Sequence, residues 1–171
     1  PGSVVLEAGL PDSSSSYARW GTCAHEVAGV ILERAVRMVD PGSGLTAFDP
    51  ENAEAFVGRV FQIEGHDVEF DMEMADCVND YVAQVEAYWE PGDILIAEQS
   101  VPLEQITGEK GAEGTSDCII LKQRAREIVV IDLKGGKGVE VDAENNEQGL
   151  MYADGAVEEH ELIHGPVERI V

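Results

Sequence analysis

Apolar residues recur along this chain with two different periods. From Thr22 onward they fall at Val27, Val30, Ile31, Ala35 and Met38, the spacing of one buried helix face, with Thr22 placed to cap the start and His25 in the first turn. A second helix is predicted over Asp71 to Trp89, where Met74, Val78, Tyr81, Val82, Val85, Tyr88 and Trp89 make the clearest apolar stripe in the chain. Pro91 and Gly92 stop it. Between the two, DPGSGLTAFDPENAEAF reads as a loop punctuated by proline and glycine, then a short helix. After Gly92 the pattern becomes that of strands: ILIAEQSVPLEQI, GTSDCIILK and EIVVIDLK, with QRAR turning between the second and third, predict an antiparallel meander. AENNEQGLMYADGAVEEH returns to a helical reading, and VERIV closes as a returning strand. This order predicts an α/β fold with one central sheet flanked by helices.

One strand interrupts its own pattern. Residues 128–141 read IVVIDLKGGKGVEV, with Asp132 and Lys134 two apart and glycines following. Alternate strand residues share a face, so these two charges point the same way and Leu133 the other. Further polar residues stand out in chain order: His25 at a helix start, Glu98 inside a strand, Asp117 after GTS, and Gln148 with Tyr152 four apart on one helix face. A hairpin can bring Asp117 beside Asp132, and two carboxylates with an imidazole suit a hard cation such as Mg²⁺ or Mn²⁺. A lysine beside such an ion can orient water and neutralise charge growing on a phosphate.

Each of these residues also has a plain structural reading. His25 can cap or hydrogen-bond within the core, Asp132 and Lys134 can form a structural ion pair, Asp117 can be a turn residue, and Gln148 and Tyr152 can be packing and surface positions. His66, His160 and His164 lack a comparable setting and read as surface residues, because Gly165 and Pro166 break the helix that would pair the last two.

Composition narrows the picture further. The 171 residues suffice for one domain with a core, 1–171, and not for two. The chain opens on Pro1 and ends on a strand-like run, which suggests a piece of a longer polypeptide, truncated before the partner of that last strand. No stretch approaches the roughly 18 to 20 apolar residues of a membrane span, no secretory leader is evident, and a cytoplasmic location is expected. Cys23, Cys77 and Cys118 share no CxxC spacing and read as buried apolar residues. Against 34 Asp and Glu there are 11 Lys and Arg, a net charge of −23 that repels nucleic acid on average. Six of those 11 cations (Lys110, Lys122, Arg124, Arg126, Lys134 and Lys137) cluster between residues 110 and 137, making the neighbourhood of the interrupted strand the one locally basic part of the chain. The acidic runs EFDMEMAD and VEEHE read as solvated faces or partner contacts.

In series, GTCAHEVA around His25, GTSD ending in Asp117, IDLKGGKG with Asp132 and Lys134, and QGLMY with Gln148 and Tyr152 resemble the motifs of the RecB-like branch of the PD-(D/E)XK nuclease superfamily, in particular its phage-encoded members. Singly each motif is weak; their order and separations, spanning the chain, carry the resemblance. It implies a restriction-endonuclease-like core with a central mixed sheet, and a Mg²⁺- or Mn²⁺-dependent deoxyribonuclease, an exonuclease of phage or bacterial DNA replication, recombination or repair that leaves 5′-phosphates. On this resemblance His25, Asp117 and Asp132 hold the metal with the Leu133 carbonyl, Glu98 matches a strand acid that precedes the GxxD motif, Lys134 is the catalytic lysine, and Gln148 and Tyr152 form the QxxxY motif near the DNA. Gly135 departs from the Thr or Tyr that many relatives place after the lysine. The four-cysteine iron–sulfur cluster of some relatives has no counterpart in three scattered cysteines, so no cluster is expected. DNA, as double-stranded ends or a single strand, is the expected partner, with a basic protein or further copies of the chain beside it. The competing expectations are a non-catalytic acidic scaffold or DNA mimic on the same fold, and a hydrolase of another phosphoester such as a nucleotide.

Overall fold

A computed structural model describes residues 16–40, 42–134, 151–157, 160 and 166–171. Helix α1 (Ser16–Ala35) buries Cys23, Ala24, Val27, Ala28, Gly29, Ile31, Leu32 and Ala35 along one face. It begins well before Thr22, because Trp20 already packs on the core and extends the apolar stripe backwards. Thr22 is therefore an interior residue whose Oγ1 donates to the Ala18 carbonyl, 3.1 Å away, and His25 lies mid-helix rather than in the first turn. At the other end the helix stops at Ala35 and Met38 is exposed on a strand. The cause is Asp40, whose carboxylate accepts from the Gly42 N–H at 2.9 Å and the Ser43 hydroxyl at 2.7 Å, closing a turn that pairs β1 (Val36–Asp40) with β2 (Leu45–Phe48).

A 3-10 turn at Ala53–Phe56 is capped by Asn52 and meets the short helix expected there. A second hairpin follows, β3 (Val60–Ile63) with β4 (His66–Glu69). Its two-residue loop, Glu64 and Gly65, has φ of 50° and 80°, the left-handed pair that matches the twist of a tight hairpin. Asp71 then caps α2 (Met72–Tyr88), its carboxylate accepting the Met74 N–H at 2.8 Å. Met74, Val78, Tyr81, Val82 and Val85 of α2 are buried in the core shared with α1.

The expected meander forms as β5 (Ile94–Pro102), β6 (Glu113–Lys122) and β7 (Glu127–Ile131), all antiparallel, with the short helix α3 (Glu104–Thr107) between β5 and β6. Strand β8 (Arg169–Ile170) adds to β7 in parallel, so the four-stranded sheet is mixed. Leu95, Ala97, Cys118, Ile120, Val129 and Ile131 face α1 and α2. On the opposite face Ile96, Val101, Ile119, Leu121 and Ile128 pack with Tyr152, Ala156 and Val157 of the helical run 151–157. The architecture is α/β, a mixed sheet with helices on both faces.

Cys23 and Cys118 are buried and Cys77 half-buried. Burial pushes the Cys23 thiol up to about 11 and the Cys118 thiol up to about 12, so both behave as small apolar groups. His66 is exposed as expected. His160 is not a surface residue: it is 7% exposed and hydrogen-bonded to Gln99 Oε1 at 3.0 Å, drawn under by the packing of its helix on β5. His164 lies outside the described residues. Among those residues no helix is long and apolar enough to cross a membrane.

Candidate metal centre

Strand register builds the site. Ala97 pairs with Cys118 and Gln99 with Ser116, which sets Glu98 opposite Asp117. On the other side Cys118 pairs with Ile131, so one step beyond the end of β7 Asp132 comes alongside Asp117. Three acids therefore occupy one row across three neighbouring segments. Strand β7 ends at Ile131, so Asp132 and Lys134 lie in the extended segment that leaves the sheet rather than within a strand. That segment is tied back by the Leu133 N–H, which donates to Asp117 Oδ2 at 2.6 Å. Asp117, expected at a strand start, sits inside β6 and is only 8% exposed.

Regular alternation would not serve this site. Ala97 and Cys118 already face α1, so their neighbours Glu98 and Asp117 should face away. Instead Asp117 Oδ1 lies 3.1 Å from His25 Nδ1, and the Glu98 side chain lies against Gly29, both partners on α1. Glu98 has φ of 51°, a left-handed conformation inside a strand. The backbone there turns two successive rows toward the same helix.

The result is a cluster in which His25, Glu98 and Asp117 each offer a ligand atom, all within 4.8 Å of one another. One imidazole nitrogen and two carboxylates fit Mn²⁺ or Mg²⁺ by donor chemistry. The electrostatics point the same way. Partial burial and the charge of Asp117 raise the Glu98 pKa against the opposing effect of His25, so acids are crowded here. The hydrogen bond to Asp117 raises that of His25, against the opposing effect of burial and with help from the charges of Asp117, Glu98 and Asp132. A bound cation would relieve this crowding.

Asp132 and Lys134 flank the cluster. The Lys134 ammonium lies 2.6 Å from Asp132 Oδ2 as a charge contact outside hydrogen-bond angles, and the lysine side chain is half exposed. The Leu133 side chain between them is buried in the α1-facing core. Beneath, the Tyr81 hydroxyl donates to the Ile131 carbonyl at 3.3 Å and steadies the backbone beside Asp132. Burial raises the Tyr81 pKa far enough to keep it a hydroxyl donor.

Other expected residues fall elsewhere. Tyr152 packs with Leu103 and Gly114 in the second core, against the part of β6 three residues from Asp117. Gln148, Gly135 and Lys137 lie outside the described residues. Of the described members of the basic cluster read from the sequence, Lys134 is at the site and three others lie away from it. Lys122, Arg124 and Arg126 lie at and beyond the far end of β6, in and beside the turn to β7. Lys122 is largely buried against Asp93 at 3.2 Å, and Arg126 pairs with Glu168 at 2.6 Å. Sequence reasoning missed Tyr81 and Gly29. Tyr81 was visible only as one more apolar position, whereas a glycine four residues after His25 inside a helix was a signal.

The family model described as "Protein of unknown function (DUF2800)" matches residues 1–170. No solved structure matches the chain.

Proposed function

The chain belongs to the DUF2800 family, and we propose that it is a divalent-metal-dependent nuclease acting on DNA, with a core of the PD-(D/E)XK kind. The observation that carries this reading is the convergence of His25, Glu98 and Asp117 next to the Asp132–Lys134 pair. His25, Glu98 and Asp117 would hold Mg²⁺ or Mn²⁺, with Asp132 in the adjoining position of the same row. When bound, the ion supplies Lewis-acid charge to a phosphodiester and lowers the pKa of water.

The protein's own groups supply the rest. Asp117 is fixed by two hydrogen bonds and in turn fixes the His25 ring. Lys134 extends its half-exposed ammonium beside the acids, where it can meet a phosphate oxygen and orient an attacking water. Asp132 aims that ammonium. A structural ion pair alone has no need of the histidine and the two further carboxylates alongside it.

A second reading has an observation in its favour. Among the described residues Lys122, Arg126 and Arg169 each lie against an acid, which suits an acidic module that binds a basic protein. Cleavage decides between them. End-labelled linear and covalently closed DNA are incubated with Mg²⁺, Mn²⁺ or EDTA and with wild type or Lys134→Ala. Metal-dependent loss of the linear form alone, absent in the variant, is the expected result for an exonuclease. Absence of cleavage under every condition would overturn the nuclease reading in favour of the acidic module.

A further inference from the structure

Two unfavourable local conformations meet at a single contact. Gly29 occupies the interior of the 20-residue helix α1, although glycine is the poorest helix former apart from proline. Glu98, which faces it from β5, has φ of 51°, a conformation that residues with a Cβ seldom adopt. Neither choice favours the fold by itself. A Cβ built on Gly29 would stand 2.9 Å from Glu98 Cγ, 3.6 Å from Cδ and 3.5 Å from Oε1. The first distance is closer than real side chains allow, and relieving it means turning Cγ about the Cα–Cβ bond, which carries the carboxylate with it. Gly21, about two turns earlier in the same helix, would place a Cβ with nothing within 4 Å. The close approach is therefore particular to the residue facing Glu98.

We propose that Gly29 is a positioning residue for Glu98: the missing side chain leaves a notch in α1 through which the Glu98 carboxylate reaches His25 and Asp117 to complete the divalent-cation site. This rests on the metal reading given above. A methyl group at position 29 would push Glu98 Cγ away from the helix and draw its carboxylate out of the cluster, while the helix itself would gain from alanine. Gly29→Ala should therefore separate cation binding from folding.

The test is Mn²⁺ titration of the full chain, followed by the electron paramagnetic resonance signal of free Mn²⁺, on wild type and Gly29→Ala. Urea midpoints in EDTA are measured for these two, for Glu98→Ala and for the double variant. The expected result is a loss of Mn²⁺ affinity of about 10- to 100-fold in Gly29→Ala with helical circular dichroism and cooperative unfolding retained. The same substitution should raise the urea midpoint more in the Glu98→Ala background, where Cγ is gone, than in wild type. Equal Mn²⁺ affinity in wild type and Gly29→Ala, or the same midpoint change in both backgrounds, would overturn the positioning role and leave the metal reading standing. If wild type itself binds no Mn²⁺, the metal reading falls and this role falls with it.

Discussion

Position 98 offers a test in which an ordinary preference should change sign. At most strand positions glycine is less stable than alanine by roughly 0.5–1 kcal/mol, because it loses more conformational freedom on folding. Glu98 has φ of 51° within β5, where a Cβ crowds the following carbonyl at a cost of about 1–2 kcal/mol. Glu98→Ala removes the carboxylate and keeps that cost; Glu98→Gly removes both. Setting the two terms against each other, Glu98→Gly should be the more stable of the pair by about 1 kcal/mol. With a urea dependence of about 2 kcal/mol per molar, the midpoints should differ by roughly 0.5 M. Urea unfolding in EDTA, followed by circular dichroism, measures this directly. A Glu98→Gly midpoint at or below that of Glu98→Ala would show that the left-handed backbone is not imposed on residue 98. The turned row would then carry no conformational cost for its side chain to justify.

Two further outcomes follow from the same geometry. Both Glu98 and His25 have raised pKa values, so their contributions to stability are full below the ordinary values of 4.5 and 6.5 and are lost as pH rises through the folded values. The metal-free protein should lose urea resistance as pH increases from about 5 to 8, and His25→Gln should flatten the upper part of that profile; a midpoint that rises over this range would contradict the assignment. On the other face of the sheet, a Cβ on Gly155 would sit 2.6 Å from the Pro102 carbonyl oxygen and 3.2 Å from Val101 Cβ. Gly155→Ala should therefore destabilise by about 1–3 kcal/mol despite alanine's helix preference, visible as a lower thermal midpoint, and an unchanged midpoint would mean that the helical run can shift on β5 without loss.

Much of the scaffold was legible because its signals are local. The α2 stripe and its stop at Pro91-Gly92 depend on neighbours within a turn or two, and the three strands of the meander announce themselves by β-branched runs and the QRAR turn. The two small hairpins were missed. In β1–β2, Met38 continued the helical period of α1 while Asp40 had already closed a turn, and in β3–β4 the Glu64-Gly65 loop depends on backbone angles rather than on apolar spacing. The ends of α1 and β7 were misplaced for a related reason. Trp20 extends the helix through contact with a distant core, and the segment after Ile131 leaves the sheet while remaining bonded to Asp117.

The sequence by itself determined the two long helices, the three-stranded meander and the chemical types of the candidate residues, because propensity and residue identity are properties of short stretches. It also supplied His25, Glu98 and Asp117 within a larger set that held Asp132, Lys134, Gln148 and Tyr152. Only the tertiary structure decided that Glu98 joins His25 and Asp117 at ligand distance while Tyr152 packs on the other face of the sheet. It alone showed Lys122 paired with Asp93 and Arg126 with Glu168, away from the row that carries Glu98, Asp117 and Asp132. Both depend on strand register and on a local break in alternation. These are fixed by which residues meet across the fold, 19 positions apart for Glu98 and Asp117 and 92 for His25 and Asp117, and no local pattern encodes them.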